Sequence, residues 1–385
     1  MVDLSQNYPH VPPQTELLGI AITLQPQSDF YLRPQYATAL HGWFLDRVRS
    51  TNPTLSQQLH DGQEEKPFTI SGFAGDIPTI DRQLLLSKNR SYQWQITALS
   101  IPLCDWCREW LAAPPTTLRL NSTTCRITDW QLVLPPTTYT KIWQQAATDN
   151  RPLELTFTSP TSFRKRKNHM PLPIPENIFQ SYLRRWNYFS PQPFDQDEFL
   201  DWVNDCIVIL RHDIRSSKVQ AGKIGSVTGF IGSIQLGLTT QAQRHLEYSQ
   251  LARALVACAP YFQTGHKVTF GLGQTRLGWS EAFGSPIGIT SGHKITDKTA
   301  IVAARAELII VREQELEPIF LDLKIRQGGQ RASKSAKLWA QIIARQEMGD
   351  SLRSIAADLK MPYDTVKKYA QLAKKNLMSS ISAET

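Results

Sequence analysis

Imidazole has an ordinary pKa near 6.5, so it can take up and return a proton at neutral pH. The chain holds eight histidines, and three of them stand in contexts that suit chemistry: Leu40-His41-Gly42-Trp43-Phe44-Leu45, Leu59-His60-Asp61 and Thr264-Gly265-His266-Lys267. Set beside a phosphodiester, a histidine can remove the proton of an attacking hydroxyl, an effect worth roughly 10²–10⁴-fold. The same residues also have plain readings. His41 reads as a half-buried helix histidine packing beside Phe44 and Leu45, and His60 as a helix C-terminal residue favoured by the macrodipole.

Cations form the second group. Arg164-Lys165-Arg166-Lys167 follows the strand-like Leu153–Ser159 and precedes the stop Pro171-Leu172-Pro173-Ile174-Pro175. Four adjacent cations repel one another unless an anion shares them, so the run is either a solvated loop or a phosphate contact. Arg184 and Arg185 form a further pair, with Trp186 and Tyr188 beside them as stacking or core aromatics. Gly271-Leu272-Gly273 lacks the third glycine of a dinucleotide fingerprint, and no GxxxxGK[ST] occurs, which excludes a P-loop ATPase. The run Val268–Trp279 reads as a hairpin. Its glycines either pack tightly on a sheet or bring bare N–H groups to a phosphodiester, assisted by His266, Lys267 and Arg276.

No metal site and no cofactor are expected. Cys104-Asp105-Trp106-Cys107 is a lone CxxC in an apolar helical stretch, where buried free thiols are the usual outcome. Five cysteines in so long a chain do not make a disulfide framework. Paired carboxylates do not recur near the basic loops, which argues against a two-metal nuclease.

These groups need elements to hold them. At about 150 residues per domain, 385 residues predict two to three domains. With 41% hydrophobic and 20% charged residues, the chain is globular rather than disordered. No apolar run approaches the roughly 18–20 residues of a membrane span. The opening MVDLSQNYPH lacks a basic stretch followed by an apolar one, so no secretory signal, no membrane partner and a cytoplasmic location are expected. Periodicity predicts strands over 15–25, 92–98, 123–134 and 152–158. It predicts helices over 35–49, 53–60, 101–112, 174–186, 196–211, 240–258 and near 297–314. Two alternating halves with hairpin signals favour two α+β domains over one doubly wound sheet. The expected divisions are 1–140, 141–280, a linker with a helix over 281–334, and an all-helical unit over 335–378.

The net charge of +8 sits in that last part. Between Lys324 and Met378, twelve Lys/Arg face four acids, which matches the whole excess. Such asymmetry points to a polyanion partner. Helices are predicted over 336–347, over 351–359 with Ser351 as N-cap, and from Asp364 as N-cap to about Asn376. Leu352, Ile355, Ala356, Leu359, Met361, Val366 and Tyr369 have the apolar spacing of a helix-turn-helix, which leaves Thr365, Lys367, Lys368 and Gln371 outward. Lys360 stands where such turns usually carry glycine. Lys367 and Lys368 are the candidate nucleic-acid contacts of this unit, and duplex DNA is a candidate partner.

Three stretches resemble a known family. They are 40–45 with Leu59-His60-Asp61 and 66–71; Ser159–Phe163 with the basic loop and Phe179–Asn187; and Thr264–Arg276. Together these are similar to the CRISPR-associated endoribonucleases of the RAMP superfamily, which cut the precursor of guide RNA within its repeats. The resemblance spans roughly 1–280. It implies two tandem ferredoxin-like (RRM-like) domains, to which the helix-turn-helix is an addition. It also implies metal-independent cleavage through the substrate's own 2′-OH, leaving a 2′,3′-cyclic phosphate. His41 falls at the family's catalytic position. Around it, Arg47 is a candidate for stabilising phosphorane charge, Tyr36 (with Tyr31) for a hydrogen bond, and His60 for the competing base. Repeat RNA is the implied partner, gripped by Arg164, Lys165, Arg166, Lys167, Arg184, Arg185, His266, Lys267 and Arg276, with Gly271 and Gly273 seating phosphates. The alternatives are a non-catalytic RNA-binding subunit beside other CRISPR effector subunits, and a helix-turn-helix DNA-binding regulator.

Overall fold

The computed structural model describes residues 10–61, 65–80, 83–120, 123–149, 151–165, 168–220, 226–280, 298–322, 330–347 and 350–381. The chain divides into two units, Met1–Gly292 and His293–Thr385.

The first unit begins with β1 (Leu17–Pro26), β2 (Phe30–Leu32), α1 (Ala37–Thr51), α2 (Pro53–Asp61), β3 (Phe68–Ala74), β4 (Thr79–Ile80), β5 (Gln83–Leu86), β6 (Tyr92–Ala98), α3 (Ile101–Ala112), β7 (Thr117–Leu120) and β8 (Thr123–Thr137). Period-2 alternation sets the register. Leu18, Ile20, Ile22 and Leu24 of β1 stand opposite Ala98, Ile96, Trp94 and Tyr92 of β6, and all eight are buried on one face. Leu40, Phe44 and Val48, spaced i, i+4, seal α1 into the same core, and Leu103, Trp106 and Trp110 do the same for α3. The sheet order β3-β6-β1-β8-β7 is antiparallel throughout, with α1 crossing from β1 to β3 and α3 from β6 to β8. That is a ferredoxin-like βαββαβ plan with β7 as an added edge strand.

The plan repeats. α4 (Tyr139–Ala146), β9 (Leu153–Thr161), β10 (Phe163–Lys165), β11 (Asn168–Met170), α5 (Pro175–Phe189), α6 (Gln196–Cys206), β12 (Ile207–Gln220), β13 (Ser226–Leu238), α7 (Leu246–Phe262) and β14 (Thr275–Leu277) follow. Their four-stranded sheet runs β12-β13-β9-β14, again antiparallel. Leu155, Phe157, Phe179, Trp186, Phe230 and Phe262 fill its core. The fold is thus α+β with two tandem ferredoxin-like domains.

Two expectations are corrected here. The helix predicted over 196–211 stops at Cys206, because the β-branched run from Ile207 pairs with β13 as an edge strand. The run 268–279 is not a hairpin: a 3-10 turn over Val268–Phe270 leads through Gly271 to β14, which pairs with β9.

The second unit is helical: α8 (Lys298–Asp322), α9 (Gln330–Glu347), α10 (Leu352–Asp358) and α11 (Tyr363–Ile381). Ile342, Ile355, Ala356, Val366 and Ala370 form one core, with Leu352, Leu359, Met361 and Tyr369 packed against it. The Ser351 side chain caps α10 by accepting from Ser354 N–H at 3.1 Å. Asp364 is not the N-cap of α11 but lies in its first turn, where its charge suits the helix dipole. α10 ends in a Schellman turn, with Met361 N–H on Ala356 O (3.0 Å) and Lys360 N–H on Ala357 O (3.2 Å). Lys360 therefore takes the left-handed conformation (φ 51°) that glycine would adopt without strain. Lys360→Gly is expected to stabilise this unit by about 1 kcal/mol, read as a raised midpoint of helix melting by circular dichroism; a lowered midpoint would contradict the strain.

Candidate active site

His41 is half-buried on α1, and the loop 263–274 of the second domain reaches it from across the chain. Its Nδ1 lies 2.9 Å from the carbonyl oxygen of Thr269. Phe270 stacks on its ring at 4.5 Å with 15° between planes, and Phe68 lies tilted at 5.6 Å. A carbonyl only accepts, so Nδ1 carries the hydrogen and Nε2 the lone pair of the neutral ring. This is the arrangement in which a third group orients an imidazole as a base.

The loop that supplies Thr269 is held at many points. Thr264 N–H donates to Gly273 O (2.8 Å), its hydroxyl bridges Tyr182 (2.6 Å) and Thr275 (2.7 Å), and Gly265 N–H donates to the Ser181 hydroxyl (3.0 Å). On the far side, Gly271 bridges Ser71 of β3, and Gln274 Nε2 donates to Ile70 O at 3.2 Å. Gly273 has φ +71°, and a Cβ there would stand 1.9 Å from Thr264 O; a Cβ on Gly271 (φ +80°) would stand 2.9 Å from Gly72 N. These glycines serve close approach within the protein, a use distinct from the phosphate seating expected of them.

Arg185 departs from its expected grip on RNA. It is 4% exposed, and its guanidinium donates to Ser181 O (3.1 Å), Gln263 O and Gly265 O (both 3.4 Å) and faces Glu65 at 3.5 Å. Burial pushes its pKa down to about 10, against the pull of Glu65, so it remains charged at neutral pH and pins the loop's backbone. Arg184 is half-exposed and pairs with Glu65 at 2.9 Å. Arg47 does not join His41. Six residues on, it lies about 120° round the helix, with its guanidinium 5.7 Å over the Trp43 ring. Tyr36 is buried and accepts from Phe73 N–H at 2.8 Å, and burial raises its pKa to about 12, so it stands as a neutral structural phenol.

His60 lies on α2 with its side chain outside the described residues, as are the Lys165 side chain and all of Arg166 and Lys167. Arg164 is exposed on β10 and Arg276 on β14. Lys267 opens the 3-10 turn at φ 61°. Beside it, the rings of His266 and His169 lie 5.0 Å apart, and the Nδ1 of each is buried without a hydrogen-bond partner. Burial first, then His169, Lys267 and Arg164, lowers the pKa of His266 to about 4. In the second unit Lys367 and Lys368 are exposed on α11. Trp186 is core, which removes it as a stacking platform, while Tyr188 is exposed.

Between the two sheets lies a cleft of about 540 Å³, lined by Gln93, Gln95, Ser71, Thr158, Gln274 and Arg276 among others. Phe270 forms part of its wall and, by stacking on His41, adjoins the histidine. Sequence reading missed Thr269 and Phe270, because a backbone carbonyl leaves no residue signature. The cleft glutamines had one: they alternate with Trp94 and Ile96 in Tyr92–Ala98, a polar face that reads as solvent-facing. Cys104, Cys107, Cys125, Cys206 and Cys258 are all buried free thiols. Among the described residues, no group of three or more His, Cys, Asp or Glu is placed to hold a metal.

Residues 18–109 match the CRISPR Cas6 N-terminal domain, and residues 155–275 match CRISPR-associated endoribonuclease Cas6. The two matches together take in more than half of the 385 residues. The chain belongs to the Cas6 family. Solved Cas6 structures share its fold. The TTHB231 product complex has TM-score 0.55 at 23% identity, covering 67% of this chain and 98% of its own. The TTHA0078 product complex has 0.53 at 24%, covering 68% and 98%. TTHB231 of Thermus thermophilus alone has 0.51 at 23%, covering 69% and 99%. No curated protein matches the sequence. Neither Cas6 match extends past residue 275, so the helical second unit lies outside both.

Two predictions arise from this geometry. Gly273→Ala is expected to cost roughly 2–3 kcal/mol, whereas Gly42→Ala, whose methyl would meet nothing within 4 Å, is expected to hold or raise stability. Thermal denaturation of both variants checks this, and equal melting would contradict it. The low pKa of His266 means that the unfolded chain binds a proton the folded chain does not between pH 6.5 and about 4. Stability should therefore fall as pH drops through that window. Urea midpoints across it should show a steeper loss for wild type than for His266→Gln.

Proposed function

We propose that this Cas6-family chain binds CRISPR repeat RNA and cuts the precursor transcript, with His41 as the general base and no metal in the step. The observation that carries this reading is the Thr269 carbonyl on His41 Nδ1, which leaves Nε2 as the basic nitrogen. Nε2 takes the proton of the 2′-hydroxyl as O2′ bonds to the adjacent phosphorus. The P–O5′ bond breaks, and O5′ takes a proton from water. The products are a 2′,3′-cyclic phosphate and a 5′-hydroxyl. Only a positioned base and stabilisation of the phosphorane are required.

Arg164, Arg184, Lys267 and Arg276 are the described cations proposed to hold the RNA backbone. Phosphate contacts of this kind position without reading sequence, while recognition of folded RNA draws on shape and on unpaired bases. The mostly apolar lining of the cleft, with glutamines at Gln93, Gln95 and Gln274 and one cation at Arg276, supports a role in holding unstacked bases rather than phosphates.

The decisive assay uses end-labelled hairpin repeat RNA in excess EDTA. Wild type should cleave, His41→Ala should lose roughly 10²–10⁴-fold in single-turnover rate while still binding, and a 2′-deoxy substitution at the cut site should abolish the product. Cleavage that persists in His41→Ala or on the deoxy substrate would overturn the mechanism. Tight binding with no cut by wild type would make the chain a non-catalytic RNA-binding subunit.

A further inference from the structure

We propose that the helical unit binds duplex DNA, with α11 seated in the major groove. The packing of α11 is one-sided: Val366, Ala370 and Ala373 are buried, while Lys367, Lys368, Gln371 and Lys374 are exposed on the other side. Steps of three and four residues gather these four into one stripe about two turns long. Lys367 and Lys374 are seven residues apart, roughly 10 Å along the axis, which sets cations at both ends of the stripe.

Four acids of this unit are held by arginines, and α11 itself carries Asp364 in its first turn. Arg345 holds Asp350 at 2.6 Å and Asp358 at 2.5 Å, and Arg312 holds Glu347 at 2.7 Å and Glu315 at 2.8 Å. The Arg345 pairs tie the C-terminal end of α9 to Asp350, just before α10, and to Asp358, its last residue. At the start of α11 the guanidinium of Arg353 lies 5.8 Å from the ring of Tyr363, which is 41% exposed. This places one more cation at the end of the helix that, in a helix-turn-helix, meets the bases.

Groove dimensions select the ligand. The major groove of B-DNA is about 12 Å wide and admits an α-helix, whereas that of A-form RNA is too deep and narrow. Lysines are suited to neutralising phosphates as point charges. A bare charged tail would not need the Ser351 cap, the Schellman turn at Lys360 and the Ala356 contact that fix the angle between α10 and α11. This activity is independent of the ribonuclease reading.

The test uses the full chain and fluorescence anisotropy on a 30-base-pair duplex DNA and on duplex RNA of the same sequence, across a salt series. Wild type should prefer the DNA at least tenfold. K367E/K368E, altered only at exposed positions and checked for folding by circular dichroism, should lose at least tenfold in DNA affinity. Its logarithmic salt slope should be shallower by about two, with the single-turnover cleavage rate at saturating protein unchanged. Equal affinity for duplex RNA would overturn the proposal, as would DNA binding insensitive to the substitutions or an absence of DNA binding. A loss confined to RNA cleavage would assign the stripe to the RNA instead.

Discussion

The carbonyl of Thr269 against His41 is the contact on which the arrangement of the first unit turns. It joins a helix near the beginning of the chain to a loop 228 residues later, and it selects the tautomer of the ring. A backbone acceptor is a poor choice where only affinity matters, since it can be replaced by water at little cost. Its merit is rigidity: a carbonyl cannot rotate away as a side chain can, provided the loop behind it is held. Most of the polar chemistry around residues 263–275 serves that proviso, from the Tyr182–Thr264–Thr275 hydroxyl chain to the bridge between Gly271 and Ser71.

Arg185 and Glu65 show what holding the loop costs. A guanidinium at 4% exposure has surrendered its hydration, and one carboxylate at 3.5 Å does not restore it. The remaining donors are satisfied by the carbonyls of Ser181, Gln263 and Gly265, so the cation becomes a backbone organiser. Neighbours of the same residue type divide sharply here: Arg184 keeps its exposure while pairing with Glu65, and Arg185 loses its exposure altogether.

How much of this could be read from the residues follows from what each signal encodes. The alternation in Tyr92–Ala98 reports which side chains share a face, and β6 has those bounds. The spacing Tyr36, Leu40, Phe44, Val48 reports one face of α1 in the same way. Periodicity does not report sequence-distant pairing, so residues 207–211, the start of a mostly exposed β12, read as the end of a helix. At the site, His41 was visible as chemistry, but its partner is a carbonyl that every residue owns. The glycines at 271 and 273 were visible as special backbone; that the neighbour they admit is the protein's own chain depends on tertiary placement alone. In α10–α11 most signals are local, because the Ser351 cap, the small residue and the apolar spacing act within about thirty residues, and only the start of α11 falls ahead of the expected Asp364.

The five buried thiols carry a practical consequence. Burial pushes Cys104, Cys107, Cys125 and Cys258 up, so at neutral pH they stand as thiols, poor nucleophiles toward alkylating reagents. Three cysteines lie in the first ferredoxin-like domain, two in the second, and none after residue 292. Intact-mass alkylation therefore works as a built-in clock of opening for the two ferredoxin-like domains, resolved by which peptide gains the adduct first. Unravelling of the C-terminal helices leaves that clock silent.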